Sequence, residues 1–181
     1  MKNIWITSDW HFCHNKEFVY KARGFDTVQE MNEDIITQFN SMVGNDDEVY
    51  CLGDLMLVDN DEGLRCVSRL KGNLHIILGN HDSSARQALY RDLPNVVDIA
   101  YAARLPFSKK TDFFLSHYPC LCGNYDDFKG RRTVSLCGHS HTPNPLADTD
   151  KGLIYHCEVD AHNCRPVSLD YIATQINLLF S

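Results

Sequence analysis

Apolar residues in this chain come in short runs, and several of the runs end on polar residues. The runs are Ile4-Trp5-Ile6-Thr7, Val49-Tyr50-Cys51-Leu52, His75-Ile76-Ile77-Leu78, Phe113-Phe114-Leu115 and Val134-Ser135-Leu136-Cys137. Such runs read as buried strands. Residues 96–102, residues 153–156 and Val159 read as further strands. Between the early runs the period changes. Val28, Met31, Ile35, Phe39 and Met42 recur at helical spacing, and their Met and Phe positions are expected in the core. Thr27 and Glu30 form a capping-box pair before them, and Gly44 is expected to stop the helix. Residues 59–69 make a shorter helical segment, and residues 83–90 a helix capped by Asp82 or Ser83. Ser168 caps a last helix, Leu169 to about Leu179.

Strand and helix alternate through the front half, which predicts parallel βαβ crossovers. The back half is richer in strands and predicts a second, mixed sheet packed on the first. The chain shows no internal repeat, low-complexity tract or linker, and its 181 residues fit one domain, 1–181. That length buries a substantial core without staples. No apolar run reaches transmembrane length, because Asp98 and Arg104 interrupt the longest candidate. Met1-Lys2-Asn3 leads straight into a strand pattern with no secretory signal, so a cytoplasmic location and reduced thiols are expected. Among the eight cysteines, Cys51 and Cys137 sit inside strand runs as small core residues. Cys120 and Cys122 form Cys-x-Cys, and no spacing resembles a zinc finger. The formal net charge of −7 argues against avid, nonspecific nucleic-acid binding.

The polar residues that end the runs carry the chemistry. They are Asp9-Trp10-His11, Gly53-Asp54, Gly79-Asn80-His81-Asp82, His117 and Gly138-His139-Ser140-His141. Ligands gather just beyond the carboxyl ends of strands in open α/β sheets. Alone, Asp9 would be an ordinary helix cap and Asp54 an ordinary turn residue. Five such places together point to a polynuclear metal site. Residues i and i+2 of an extended chain share a side, so Asp9 and His11 can face one ion, as can His139 and His141. Imidazole, carboxylate and amide form a mixed donor set suited to Mn, Fe, Zn, Co or Ni. Asp54 has two oxygens and can bridge. Two ions roughly 3.5–4 Å apart would clamp a phosphoryl group and acidify a bridging water, whose hydroxide attacks phosphorus in line.

The five blocks resemble, in order, the signature of the calcineurin-like metallophosphoesterase superfamily: Asp-x-His, Gly-Asp, Gly-Asn-His-Asp/Glu, a lone His, and Gly-His-x-His. They stretch from Asp9 to His141. The resemblance implies a four-layer α/β/β/α sandwich of two mixed sheets. It assigns Asp9, His11 and His141 to one metal, and Asn80, His117 and His139 to the other, with Asp54 bridging. It makes His81 a catalytic residue beside the scissile bond, where it would protonate the leaving oxygen or stabilise phosphoryl charge. A narrower resemblance, to small single-domain bacterial and phage phosphoesterases, rests on Ser8-Asp9-Trp10-His11-Phe12-Cys13-His14-Asn15, on Met31-Asn32, on Val159-Asp160-Ala161 and on Pro166-Val167-Ser168. It names no substrate. Protein phosphatases of the superfamily carry Gly-Asp-x-x-Asp-Arg-Gly and Gly-Asn-His-Glu. Here Gly53-Asp54 runs into Leu55-Met56-Leu57 and the second block ends in Asp82, which speaks against that type.

Other residues are weighed more evenly. His14, Asn15 and Arg23 follow the first block and could contact substrate phosphate, Arg23 by a bidentate fork; turn and helix-surface roles stand equally open. Lys109-Lys110, and Lys129 with Arg131-Arg132, read as solvated loops. His75, His156 and His162 fit no block and read as structural. The expected activity is metal-dependent hydrolysis of a small phosphomonoester or phosphodiester, with two divalent ions, Mn foremost. Two alternatives remain: a nuclease-like phosphodiesterase on polynucleotide ends, and a catalytically silent interaction module of the same fold. The acidic balance weighs against the first, and the complete ligand set against the second. The expected partner is a small phosphoester, with no membrane and no stable nucleic-acid complex; the oligomeric state is left open.

Overall fold

Local capping chemistry decides where the helices begin. The computed structural model describes residues 2–122, 132–149 and 152–179. Its elements, in chain order, are β1 (Ile4–Thr7), α1 (Glu17–Tyr20), α2 (Val28–Met42), β2 (Glu48–Cys51), α3 (Asn60–Ser68), β3 (Asn73–Ile77), α4 (Ser84–Arg91), β4 (Val96–Ala100), β5 (Ala102–Pro106), β6 (Thr111–Ser116), β7 (Arg132–Cys137), β8 (Leu146–Thr149), β9 (Gly152–His156), β10 (Val167–Ser168) and α5 (Leu169–Leu178). Thr27 starts α2 by accepting the Glu30 N–H at 3.1 Å, and the Glu30 carboxylate reaches back to the Asp26 N–H at 2.9 Å. Asp59, Ser83 and Ser168 cap α3, α4 and α5 in the same way. Ser83 is therefore the cap of α4, and Asp82 is left free for another task.

Two sheets of five strands form the α/β sandwich. The first has the order β10-β1-β2-β3-β4, with β1 to β4 parallel and β10 antiparallel to β1. The second has the order β5-β6-β7-β9-β8, with β6, β7 and β9 parallel between antiparallel edges. α2, α3 and α4 cross between the parallel strands of the first sheet. Their apolar faces, including Met31, Ile35, Phe39, Cys66, Val67 and Tyr90, pack on Val49, Cys51, Leu74 and Ile76. A second cluster lies between the sheets: Ile6, Leu52 and Ile77 from one, Phe113, Leu115, Val134, Leu136 and Tyr155 from the other. Leu169, Ile172 and Ile176 of α5 join it. Each such side chain contributes roughly 1.5–3 kcal/mol when fully removed from water. Cys51 and Cys137 are core residues, as expected.

Several local expectations are corrected. Residues 96–102 are not one strand: β4 pairs with β3, and after Tyr101 the chain enters the second sheet as β5, beside β6. Val159 opens a 3-10 turn, Val159–Ala161, rather than a strand. Met42 is 39% exposed rather than in the core, at the last position of α2. The helix has already stopped when Gly44 is reached; Val43 is extended, and the Gly44 N–H instead donates to Asp47 at 2.9 Å. Arg132 begins β7, while Lys109 and Lys110 are exposed as expected; Lys129 and Arg131 lie outside the described residues. His75 is paired with Glu48 and Asp98, and His156 with Glu158, in keeping with structural roles.

Candidate metal centre

Every predicted ligand lies on a turn that follows the carboxyl end of a strand: β1, β2, β3, β6 or β7. The turns after β1 and β2 are laced together, Asp9 N–H to Gly53 O at 2.9 Å and His11 N–H to Asp54 O at 3.0 Å. The turns after β6 and β7 are joined by Gly138 N–H to His117 O at 3.0 Å. Five ligands have left-handed backbone: Asp9 at φ 57°, His11 at 49°, Asp54 at 56°, His139 at 73° and His141 at 49°. Such conformations cost of order 1–3 kcal/mol each in non-glycine residues, and they persist where the surroundings over-determine them. Close approach is made possible by glycine. A Cβ on Gly53 would stand 2.6 Å from Gly79 N and 2.8 Å from His117 Nδ1.

These turns bring the other six predicted ligands together around Asp54. On one side His11 Nε2 is 3.7 Å from Asp54 Oδ2 and 3.6 Å from Asp9 Oδ1, and His141 Nε2 is 3.7 Å from Asp9 Oδ1. On the other, His117 Nε2 is 3.5 Å from Asp54 Oδ2, 2.9 Å from Asn80 Oδ1 and 3.2 Å from His139 Nδ1. His139 Nδ1 is 2.9 Å from Asn80 Oδ1. His139 and His141 thus serve opposite sides, which corrects the expectation from spacing that they face one ion. The left-handed residues between strand and ligand break the i, i+2 rule that holds for extended chain. Asp9, His11, Asp54 and His117 form a buried floor; Asn80, His81, His139 and His141 form an exposed rim.

The donor set fits metal ions. His117 Nδ1 lies 2.8 Å from the Leu52 carbonyl oxygen, which can only accept, so Nδ1 carries the proton. Its Nε2 lone pair then points at Asn80 Oδ1 and Asp54 Oδ2. Converging electron pairs repel unless a cation lies among them. Across the centre, Asp9 Oδ1 and both ring nitrogens of His11 are buried with no hydrogen-bond partner among the described residues. Leaving such groups unsatisfied costs about 1–3 kcal/mol each, and an ion at His11 Nε2 and Asp9 Oδ1 would remove that cost for both.

Groups beyond the ligands fix their orientation. Asp82 turns inward; its Oδ2 accepts the N–H groups of Asp54 and Gly79, each at 2.8 Å, and its Oδ1 accepts the Tyr90 hydroxyl at 2.9 Å. Asp160 accepts His141 Nδ1–H at 2.8 Å. The residue sits 19 positions from His141; the sequence marks it only as part of Val159-Asp160-Ala161 and does not show that it faces a ligand. Arg23 does not face the open side of the centre. Its side chain is 2% exposed, and its fork binds Asp160 rather than solvent.

The remaining candidates lie on the rim. His81 donates its backbone N–H to Asp54 Oδ1 at 2.8 Å, and its Nε2 stands 3.9 Å from Asp54 Oδ2. Burial, against the pull of Asp54, lowers its pKa. The His14 ring is 5.4 Å from that of His11. Burial first, then His11, His81 and Arg23, push His14 down to about 4, so it is neutral at pH 7. Asn15 lies in a groove beside α2 and α3 that Asn32, Glu33, Asp59 and Glu62 also line. Asp54 is raised, chiefly by burial. His141 is raised by its bond to Asp160. Asp160 is lifted by burial but held well below the usual carboxylate range by His141 and Arg23.

Residues 1–157 match the calcineurin-like phosphoesterase superfamily domain. An uncharacterised protein of Methanocaldococcus jannaschii is 39% identical over 184 residues, which cover 97% of this chain and 92% of its own length. The Gene 66 protein of Mycobacterium phage L5 is 27% identical over 201 residues, 98% of this chain and 95% of that protein. Among solved structures, a protein of unknown function from Aquifex aeolicus superimposes with a TM-score of 0.70 at 20% identity, over 97% of this chain and 100% of that one. At such identity the likeness speaks for the fold alone.

Proposed function

The chain belongs to the calcineurin-like phosphoesterase superfamily, and from that premise we propose that it hydrolyses a small phosphomonoester or phosphodiester with two divalent ions at this centre. Metal-dependent phosphoester hydrolysis is the family's chemistry; the nuclearity, the ester class and the residue roles are our reading. The observation that carries it is the convergence of unshared electron pairs on both sides of Asp54 Oδ2. Asp9, His11 and His141 would hold one ion, and Asn80, His117 and His139 the other, with Asp54 between them. Manganese suits this mixture of imidazole, carboxylate and amide. Two such ions would supply Lewis acidity to a phosphoryl oxygen and would acidify a water to serve as nucleophile.

The chain's own groups do the rest. The buried floor keeps Asp9 and Asp54 in a low-dielectric setting, where their attraction for cations is strong. We read His81, on the rim beside the bridge, as the residue that would protonate the leaving oxygen or stabilise charge on the phosphoryl group; a general acid of this kind is worth roughly 10²–10⁴ in rate. We read His14, neutral at pH 7, as a group that would offer a ring N–H to a phosphoryl oxygen. The test is a panel of phosphomonoesters and phosphodiesters assayed with metal-stripped protein before and after Mn²⁺ is restored. The reading expects metal-dependent release of product from a small ester. Equal activity with and without metal would overturn it.

A further inference from the structure

Arg23 lies outside every ligand-bearing turn, yet it is joined to ligands of one ion and to none of the other among the described residues. Its Nη2–H donates to the Asp9 carbonyl at 2.8 Å, and its Nη1–H to the Trp10 carbonyl at 3.0 Å. The same guanidinium grips Asp160 with two parallel bonds, Nε to Oδ1 and Nη2 to Oδ2, both 2.9 Å. Asp160 Oδ2 in turn accepts His141 Nδ1–H at 2.8 Å. The 3-10 turn that carries Asp160 is itself pinned to the end of β1, Val159 N–H to Ser8 O at 3.1 Å. One buried arginine thus connects the turn bearing Asp9 and His11 to the side chain that aims His141. The ligands across the centre have other anchors: the Leu52 carbonyl for His117, and Asp82 for the Gly79-Asn80 turn.

We propose that Arg23 and Asp160 are a positioning pair that sets the affinity of the ion site formed by Asp9, His11 and His141, and leaves the Asn80, His117 and His139 site alone. The inference rests on the two-ion reading above. Three physical steps support it. The Asp160 carboxylate keeps the proton on His141 Nδ1, so the Nε2 lone pair faces Asp9 Oδ1, 3.7 Å away. The opposite charges of Arg23 and Asp160 cancel, so the pair orients ligands without adding net charge beside a cation. The planar fork satisfies two carboxylate oxygens and two carbonyls at once, which a lysine ammonium, a single point charge with three donors, cannot reproduce.

The experiment is calorimetric titration of metal-stripped protein with Mn²⁺, for the wild type and the variants D160N, R23K and N80A, with thermal unfolding of each. D160N preserves shape and R23K preserves charge, so both are expected to fold. Wild type should show two binding events. D160N and R23K should each weaken one event by about 10–100-fold, the usual effect of losing a partner behind a ligating His, and leave the other unchanged. N80A should weaken the opposite event. In an H141A background, D160N should have a smaller effect than in the wild type, because the part it exerts through His141 is already gone. Equal weakening of both events, or no weakening of either, would overturn the pair's role. A stoichiometry of one ion per chain in the wild type would overturn the two-ion reading itself, and the inference with it.

Discussion

Replacing Gly79 by alanine tests the centre at its tightest point. The added Cβ would lie 2.8 Å from Asp54 N and 2.9 Å from Asp54 Cγ, and would meet Asp54 Oδ1 more closely still. Unstrained carbon contacts fall at about 3.5–4.0 Å. Asp54 or the Gly79 turn must therefore move by roughly 0.6–1.2 Å, the difference between those contacts and the ones found here. Neither can yield freely, because Asp82 binds the N–H groups of both, each at 2.8 Å. Catalytic constellations tolerate about 0.5 Å of error, and a misplacement of about 1 Å lowers activity on the order of 10²-fold. The fold should bear the change: overpacking costs about 1–3 kcal/mol, a fall of roughly 2–12 °C in Tm for a domain of this size. The assay is kcat/KM on a chromogenic phosphodiester with Mn²⁺ present, alongside metal stoichiometry and thermal unfolding. Gly44→Ala is the control, since its Cβ would meet only the Asp47 carboxylate, Oδ2 at 3.5 Å and Cγ at 3.7 Å, both ordinary contacts. Wild-type kcat/KM and full metal occupancy in G79A would refute the argument that Gly79 spaces the bridging carboxylate.

Asp54→Asn keeps shape but removes the charge between the two ligand groups; activity should collapse and at least one ion should bind more weakly, whereas near-normal turnover at full occupancy would show that Asp54 is not the bridge. His81→Ala should retain both metals and lose far more kcat/KM on alkyl phosphoesters than on nitrophenyl ones, because a nitrophenolate departs without a proton donor; equal losses would remove the general-acid role. Away from the centre, Asp47 accepts N–H groups from Asn3, Trp5 and Gly44. Burial pushes its carboxyl up, but these bonds outweigh it and hold the pKa at about 2, below the ordinary 3.8. A depressed carboxylate stabilises the fold above its unfolded pKa and loses that contribution as pH falls through the folded one, here worth about 2 kcal/mol. Asp47→Asn should therefore weaken the dependence of Tm on pH between 3.8 and about 2; an unchanged acid limb would contradict it.

The parts of this structure readable from sequence are those governed by local rules. Thr27 and Ser168 announce helix starts because a cap needs only the next three residues. The ligand blocks are legible because each is short and follows a strand end. What escaped depends on contacts distant in sequence. Ala100-Tyr101-Ala102 contains no Gly or Pro, so nothing local marks the passage from one sheet to the other. Arg23 and Asp160 lie 137 positions apart, and only the folded chain shows that the arginine faces inward. Asp82 reads equally well as a helix cap until Ser83 is seen to fill that place. The divergence of His139 and His141 follows from left-handed backbone at both, a conformation that spacing alone does not reveal.

The central claim is that two ions share Asp54, and crystals soaked in Mn²⁺ and measured at the manganese absorption edge test it most directly. The account predicts two anomalous peaks per chain. One lies among Asp9 Oδ1, His11 Nε2 and His141 Nε2, the other among Asn80 Oδ1, His117 Nε2 and His139 Nδ1, with Asp54 Oδ2 ligating both. A single peak with Asp54 on one ion only, or a metal held instead by cysteine thiolates, would contradict it.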